Sequence, residues 1–119
     1  MFTLFVDEGQ DGWDADDFVK ISTGAGVIPT NPGGVDEPFA GIPNGLAEPR
    51  LIDSDLSGTV DLAYAGDLQG NLYRFEMGDP DPANWRAVRL FTATRNGTTA
   101  TRQPITTQPI VVQLSLIHI

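Results

Sequence analysis

Residues 53–76, DSDLSGTVDLAYAGDLQGNLYRFE, place an acidic loop directly in front of a β-hairpin, and this juncture constrains the fold more than any other stretch. Asp53, Asp55, Ser57 and Asp61 are separated by steps of two, two and four, and Gly58 directly follows Ser57. That spacing reproduces the opening of an EF-hand-like loop, in which alternate side chains turn inward onto one ion. Calcium is the matching metal. It takes six to eight hard oxygen ligands at loose distances, and three carboxylates, the Ser57 hydroxyl or a water behind it, and the Thr59 carbonyl supply most of them. Gly58 suits the sharp turn around a small ion, because glycine reaches positive φ without a Cβ penalty.

The loop departs from an EF-hand at its exit. Tyr64 stands where an EF-hand places its bidentate Glu, and Leu62, Ala63, Tyr64 and Ala65 alternate in size as a strand does. The acidic loop therefore enters a sheet. With a serine among the ligands and no bidentate Glu, the expected dissociation constant is about 10⁻⁵ to 10⁻³ M. The competing reading is an acidic, glycine-bearing turn between two strands.

The second half reads as a hairpin. Leu62–Ala65 and Leu72–Met77 flank Asp67-Leu-Gln-Gly-Asn71, a short turn in which Gly70 is available for positive φ. A further strand is expected at Val88–Thr92. Between them Gly78-Asp-Pro-Asp-Pro82 lacks amide donors at both prolines and cannot continue a ladder, so it is a loop, with Trp85 as its packing anchor. Pro109–Gln113 reads as the first strand of another unit. Toward the N-terminus, Phe2–Val6 and Phe18–Ser22 read as short strands around the acidic stretch Asp7–Asp17, and Thr23–Pro49 is a long loop rich in Gly and Pro. The fold class is all-β.

Composition excludes several functions. With 119 residues, 40% of them apolar, and a mean hydropathy of -0.12, the chain matches one modest globular domain without a membrane span or signal peptide. A net charge of -9 with one lysine, Lys20, disfavours nucleic acid, which calls for a clustered basic surface. The absence of cysteine removes disulfides, thiolate catalysis and zinc-thiolate sites. No nucleophile-base spacing or phosphate-binding glycine loop is present, and Gly24-Ala-Gly26 lacks the third glycine of a dinucleotide fingerprint. The chain is not expected to be an enzyme. The carboxylates of Asp7–Asp17 have no metal-loop spacing, and Asn96-Gly-Thr98 is a turn before it is a glycosylation acceptor.

NGLAEPRLIDSDLSGTVDLAYAGDLQGNLYRFEM, followed by Trp85, RLFTA and QPITTQPIVV, resembles the C-terminal β-propeller of the PilC/PilY family of type IV pilus tip-associated adhesins. The likeness runs from about Ile21 to Val112, and its most specific element is Tyr64 to Phe75. The family more often has Trp at Tyr73, Asp at Glu76 and Asp at Ser57. The resemblance implies a fragment of a β-propeller: residues 1–113 would form part of the ring, with one complete four-stranded blade at about 47–93 and pieces of its neighbours. It also implies that Asp53, Asp55, Ser57, the Thr59 carbonyl and Asp61 hold Ca²⁺. Further implied are calcium control of pilus extension and retraction, a place in the bacterial outer envelope, at the pilus tip or cell surface, and contact with minor pilins and with host or abiotic surfaces. Propellers close from about four to eight blades, so a lone blade leaves faces uncovered and is expected to be poorly soluble or partly disordered. Two alternatives compete: GDLQGNLYRFE also resembles the repeat of quinoprotein-like propellers, which are dehydrogenases or assembly scaffolds, and integrin-like calcium propellers place Asp-rich loops in their blade connections. QPIT after RLFTA favours the pilus family. Leu114–Ile119 reads as the translation of a sequencing-library adapter, which would make His118, the one histidine, non-native.

Overall fold

Alternation of buried and half-buried side chains along Asn71-Leu-Tyr-Arg-Phe-Glu76 makes this strand the centre of the molecule. The structure is a computed structural model that describes residues 1–4, 16, 18–25, 43–98 and 101–112. Within them lie β1 (Phe2–Leu4), β2 (Phe18–Lys20), β3 (Arg50–Ile52), β4 (Leu62–Gly66), β5 (Asn71–Glu76) and β6 (Arg86–Thr92), with a 3-10 turn at Pro82–Asn84 before β6. β1 and β2 form an antiparallel pair, and β3 to β6 form a four-stranded antiparallel sheet in sequence order. The expected strands at 62–65, 72–77 and 88–92 are present with boundaries shifted by one or two residues. Of the Asp7–Asp17 stretch only Asp16 is described, and most of Thr23–Pro49 also lies outside the described residues.

The core forms on one face of the larger sheet by pairing small residues with large ones. Ala63 lies opposite Phe75 and Ala65 opposite Tyr73, and all four are fully or almost fully buried. The alanines leave room for the two rings, whose centroids are 6.1 Å apart at a 45° tilt. Ile21 and Met77 complete the buried cluster, and Met1, Val19, Leu46, Trp85 and Ala87 pack around it. The β1–β2 pair therefore covers the same face. Reciprocal bonds between Met1 and Ile21 close the pair on itself, and the Thr3 hydroxyl joins it to the larger sheet through the Met77 sulfur at 3.6 Å. The opposite face, with Leu62, Tyr64, Leu72 and Arg74, is only half-buried.

After β6 the chain turns at Asn96-Gly97, both at positive φ, and then crosses the end of the whole sheet. The Gln103 amide donates to the Ala93 carbonyl at 2.8 Å, and the Ile105 amide to the Asp67 carbonyl at 2.9 Å. Gln108 then donates to the Pro49 carbonyl at 2.8 Å, and Arg50 Nε to the Pro109 carbonyl at 3.2 Å. The path thus runs from the β6 edge to the β3 edge. No strand forms over 109–112, contrary to the expectation from the sequence; Gln113 lies outside the described residues. The reason is physical: this segment meets β3 through side-chain hydrogen bonds, Pro109 offers no amide, and a strand exists only where a second backbone pairs with it.

Candidate metal centre

The acidic loop joins β3 to β4, between the first and second strands of the sheet. Its ends are fixed by backbone pairing, because the Asp61 amide donates to the Ile52 carbonyl at 3.0 Å and the Met77 amide to the Asp61 carbonyl at 2.8 Å. Between these clamps residues 54–60 are exposed. Leu56 sits at φ 58° and Gly58 at φ 92°, so the chain coils through the left-handed region twice within three residues. Glycine accepts that conformation freely. Leucine does so at a cost of roughly 1–2 kcal/mol, and Leu56 has no packing to offset it, being 88% exposed.

Inward-facing carboxylates hold the coil in this shape. Asp53 accepts hydrogen bonds from the Ser57 amide at 3.1 Å and the Gly58 amide at 2.7 Å, and Asp55 also accepts from the Ser57 amide, at 3.1 Å. Asp53 and Asp55 thereby meet over Ser57. Thr59 is the next residue of the coil, its amide 3.4 Å from the Ser57 hydroxyl. Asp61 points instead at Ser54, accepting its amide at 2.8 Å and its hydroxyl in a short bond. Hydrogen bonding with the Ser57 hydroxyl, with Asp53 and with the Ser57 amide holds the Asp55 carboxyl below the usual carboxylate range, and the Ser54 hydroxyl and amide do the same for Asp61. Two of the five sequence-predicted residues are in this way biased toward the charged form that a cation requires.

The five candidates occupy one loop, but they are not gathered as a finished cage. Among the described residues no group of three or more His, Cys, Asp or Glu side chains is arranged to hold a metal ion. Asp61 would have to leave Ser54 and turn toward Asp53 and Asp55. The donor set fits calcium in its chemistry: it is all oxygen and carries three carboxylates on a loop with the required left-handed turns.

Sequence reasoning missed a second carboxylate centre at the far end of β4. Asp67 is completely buried. Its Oδ1 accepts the Gln69 amide at 2.9 Å and the Asn71 amide at 2.8 Å. Its Oδ2 accepts Asn44 Nδ2 at 3.0 Å, Asn71 Nδ2 at 3.0 Å and the Tyr73 hydroxyl at 3.1 Å. The signal lay in the period of β5, where Asn71 occupies the same face as Tyr73 and Phe75. A polar residue in register with the core calls for a buried partner.

A four-stranded antiparallel sheet with its strands in sequence order is the unit from which β-propellers are built, and β3 to β6 are consistent with one such blade. The sequence profile of the family described as the PilY1 beta-propeller domain matches residues 19–115, and the chain belongs to this family. It is 39% identical over 97 residues to a type IV pilus biogenesis factor PilY1 of Pseudomonas aeruginosa (strain UCBPP-PA14), an alignment covering 61% of this chain and 8% of the relative. The PilY1 of P. aeruginosa strain PAK is 62% identical over 37 residues, covering 31% of the chain and 3% of the relative. A PilY1 homolog of Xylella fastidiosa (strain Temecula1) is 43% identical over 42 residues, covering 35% of the chain and 3% of the relative. The chain therefore spans less than a tenth of the length of these relatives. No solved structure matches it. The expectation of a non-catalytic protein agrees with a family of biogenesis factors. Among the described residues no helix is long and apolar enough to cross a membrane.

Proposed function

We propose that this chain is a calcium-binding propeller segment of a type IV pilus biogenesis factor, and that Asp53, Asp55, Ser57, the Thr59 carbonyl and Asp61 are the ligands. The observation that carries the reading is the backbone of the β3–β4 loop. Left-handed turns at Leu56 and Gly58 bring the amides of Ser57 and Gly58 onto Asp53, the coil that an EF-hand-like loop adopts around its ion. A plain turn between two strands has no need to place a leucine at φ 58° in solvent.

When bound, an ion would supply the positive charge that offsets repulsion among Asp53, Asp55 and Asp61. The chain's own residues set how far they must move: Asp53 and Asp55 already converge over Ser57, and Asp61 is poised at the first residue before β4. Because Asp61 pairs through its backbone with Met77, filling the loop tightens the β4–β5 end of the sheet. Calcium occupancy in this way becomes a mechanical property of the blade. In the whole protein, that property would regulate pilus extension and retraction and attachment to host or abiotic surfaces, in association with minor pilins at the pilus tip or cell surface.

The test is a titration with terbium, sensitised by Tyr64 at the foot of the loop, followed by displacement with calcium. The expected result is saturable calcium competition in the native chain and its loss in Asp61→Ala. Identical calcium competition in the native chain and Asp61→Ala would remove the assignment.

A further inference from the structure

Asp67 presents an arrangement that the calcium reading does not use. Five donors converge on its two oxygens and all are neutral: two backbone amides, two side-chain amides and a phenol. Among the described residues it makes no ion pair. A buried carboxylate is costly unless its lone pairs are filled, and here they are filled from three places: Asn44 before the sheet, the turn itself, and Tyr73 within β5. The carboxylate also fixes its own backbone. With Asn71 bound to Oδ1 and the Asp67 amide donating to the Asn71 carbonyl at 2.9 Å, the Asp67 carbonyl is held where it accepts the Gly70 amide within the turn at 3.1 Å and the Ile105 amide from outside it at 2.9 Å.

The Ile105 contact lies on the crossover that carries the chain from β6 to the β3 edge. Two glycines on either side of Asp67 leave it no slack. A Cβ on Gly66 would stand 2.2 Å from the Ile105 side chain, and one on Gly70 would stand 2.7 Å from the Gln103 carbonyl and 2.8 Å from the Ala93 carbonyl. The crossover is thus pressed onto the turn at two glycines and bonded to it at Asp67. We infer that Asp67 is a positioning residue for the chain leaving this sheet: its caged carboxylate rigidifies the turn that docks residues 103–105, and so sets where the chain reaches the β3 edge. The carboxylate directs a neighbouring backbone and has no ligand of its own. It does this at the opposite end of β4 from the acidic loop, so its action is independent of calcium.

Asn cannot replace it. Each oxygen of Asp67 receives at least two donors, so the amide nitrogen of an asparagine would face donors in either orientation. The experiment is amide-resolved hydrogen exchange on the 119-residue chain without calcium, comparing native, Asp67→Asn and Tyr73→Phe. The amides of Gln103 and Ile105 report on the crossover, and the amide of Met77, bonded to Asp61, reports on the other end. In Asp67→Asn, Gln103 and Ile105 are expected to exchange about tenfold faster or more while Met77 changes little. Tyr73→Phe removes one of the five donors and is expected to shift the same amides in the same direction by less. Unchanged exchange at Ile105, or equal acceleration at Ile105 and Met77, would overturn the inference. If Asp67→Asn fails to fold, Tyr73→Phe decides by the same criterion.

Discussion

Strand β4 is bracketed by two aspartates, Asp61 immediately before Leu62 and Asp67 immediately after Gly66, and they meet opposite surroundings. Asp61 sits on a loop open to solvent, bonded to the serine at the second position of that loop. Asp67 is enclosed, with five donors filling both oxygens. On the proposed function the first would exchange its serine for an ion, since Ser54 is an exposed partner. The second keeps neutral donors supplied by its own turn, by Asn44 and by Tyr73. On these proposals the same residue type would serve as a switchable ligand at one end of the strand and as a fixed internal anchor at the other, with burial deciding which.

Removing the anchor should have the largest effect. Asp67→Ala strands several buried donors at once, and a loss of about 3 kcal/mol or more in unfolding free energy is expected by chemical denaturation. Gly70→Ala attacks the same end from the backbone, combining a left-handed φ of 81° with contacts to two carbonyl oxygens below 3 Å. A destabilisation of roughly 2–4 kcal/mol is expected, with the crossover amides of Gln103 and Ile105 the first to lose protection. Equal losses at Asp61 and Asp67 would abolish the contrast between the two ends.

At the open end the effects should depend on the ion. Calcium at a hundredfold excess over its dissociation constant should add about 2.7 kcal/mol to the stability of the native chain, read as a rise in melting temperature. In Asp61→Ala that rise should vanish, while the melting temperature without calcium stays near the native value. The smallest effect is expected from Leu56→Gly, which relieves a strained leucine but loosens the unfolded chain. A net change within about 1 kcal/mol is expected without calcium, with calcium affinity equal to or above the native one by titration.

The legible part of this molecule is the part whose physics is local. The β4–β5 hairpin could be read because Leu62–Ala65 and Leu72–Met77 alternate around a glycine turn, and the positive φ of Gly58 and Gly70 was expected from glycine placed in a tight turn. Trp85 was expected to anchor the Asp-Pro loop, and it does so by packing against the core and donating from Nε1 to the Asp79 carbonyl at 2.8 Å. The Asp67 cage could not be read as easily, because it depends on Asn44, 23 residues away, and on burial that only the assembled sheet creates. Pro109–Gln113 misled for the reverse reason: an apolar run has strand propensity, but pairing requires an edge in reach, and the described chain meets Pro49 and Arg50 there through side chains. Left-handed Leu56 carried no sequence cue, since leucine is not a residue that a turn of that kind ordinarily selects.

The most direct test of the contrast is hydrogen exchange of the native chain measured with and without saturating calcium. Calcium is expected to slow exchange across residues 53–61 and at the Met77 amide, and to leave the Ile105 amide as slow as it was. Unaltered exchange over 53–61 at saturating calcium, or protection that appears first at Ile105, would contradict that contrast.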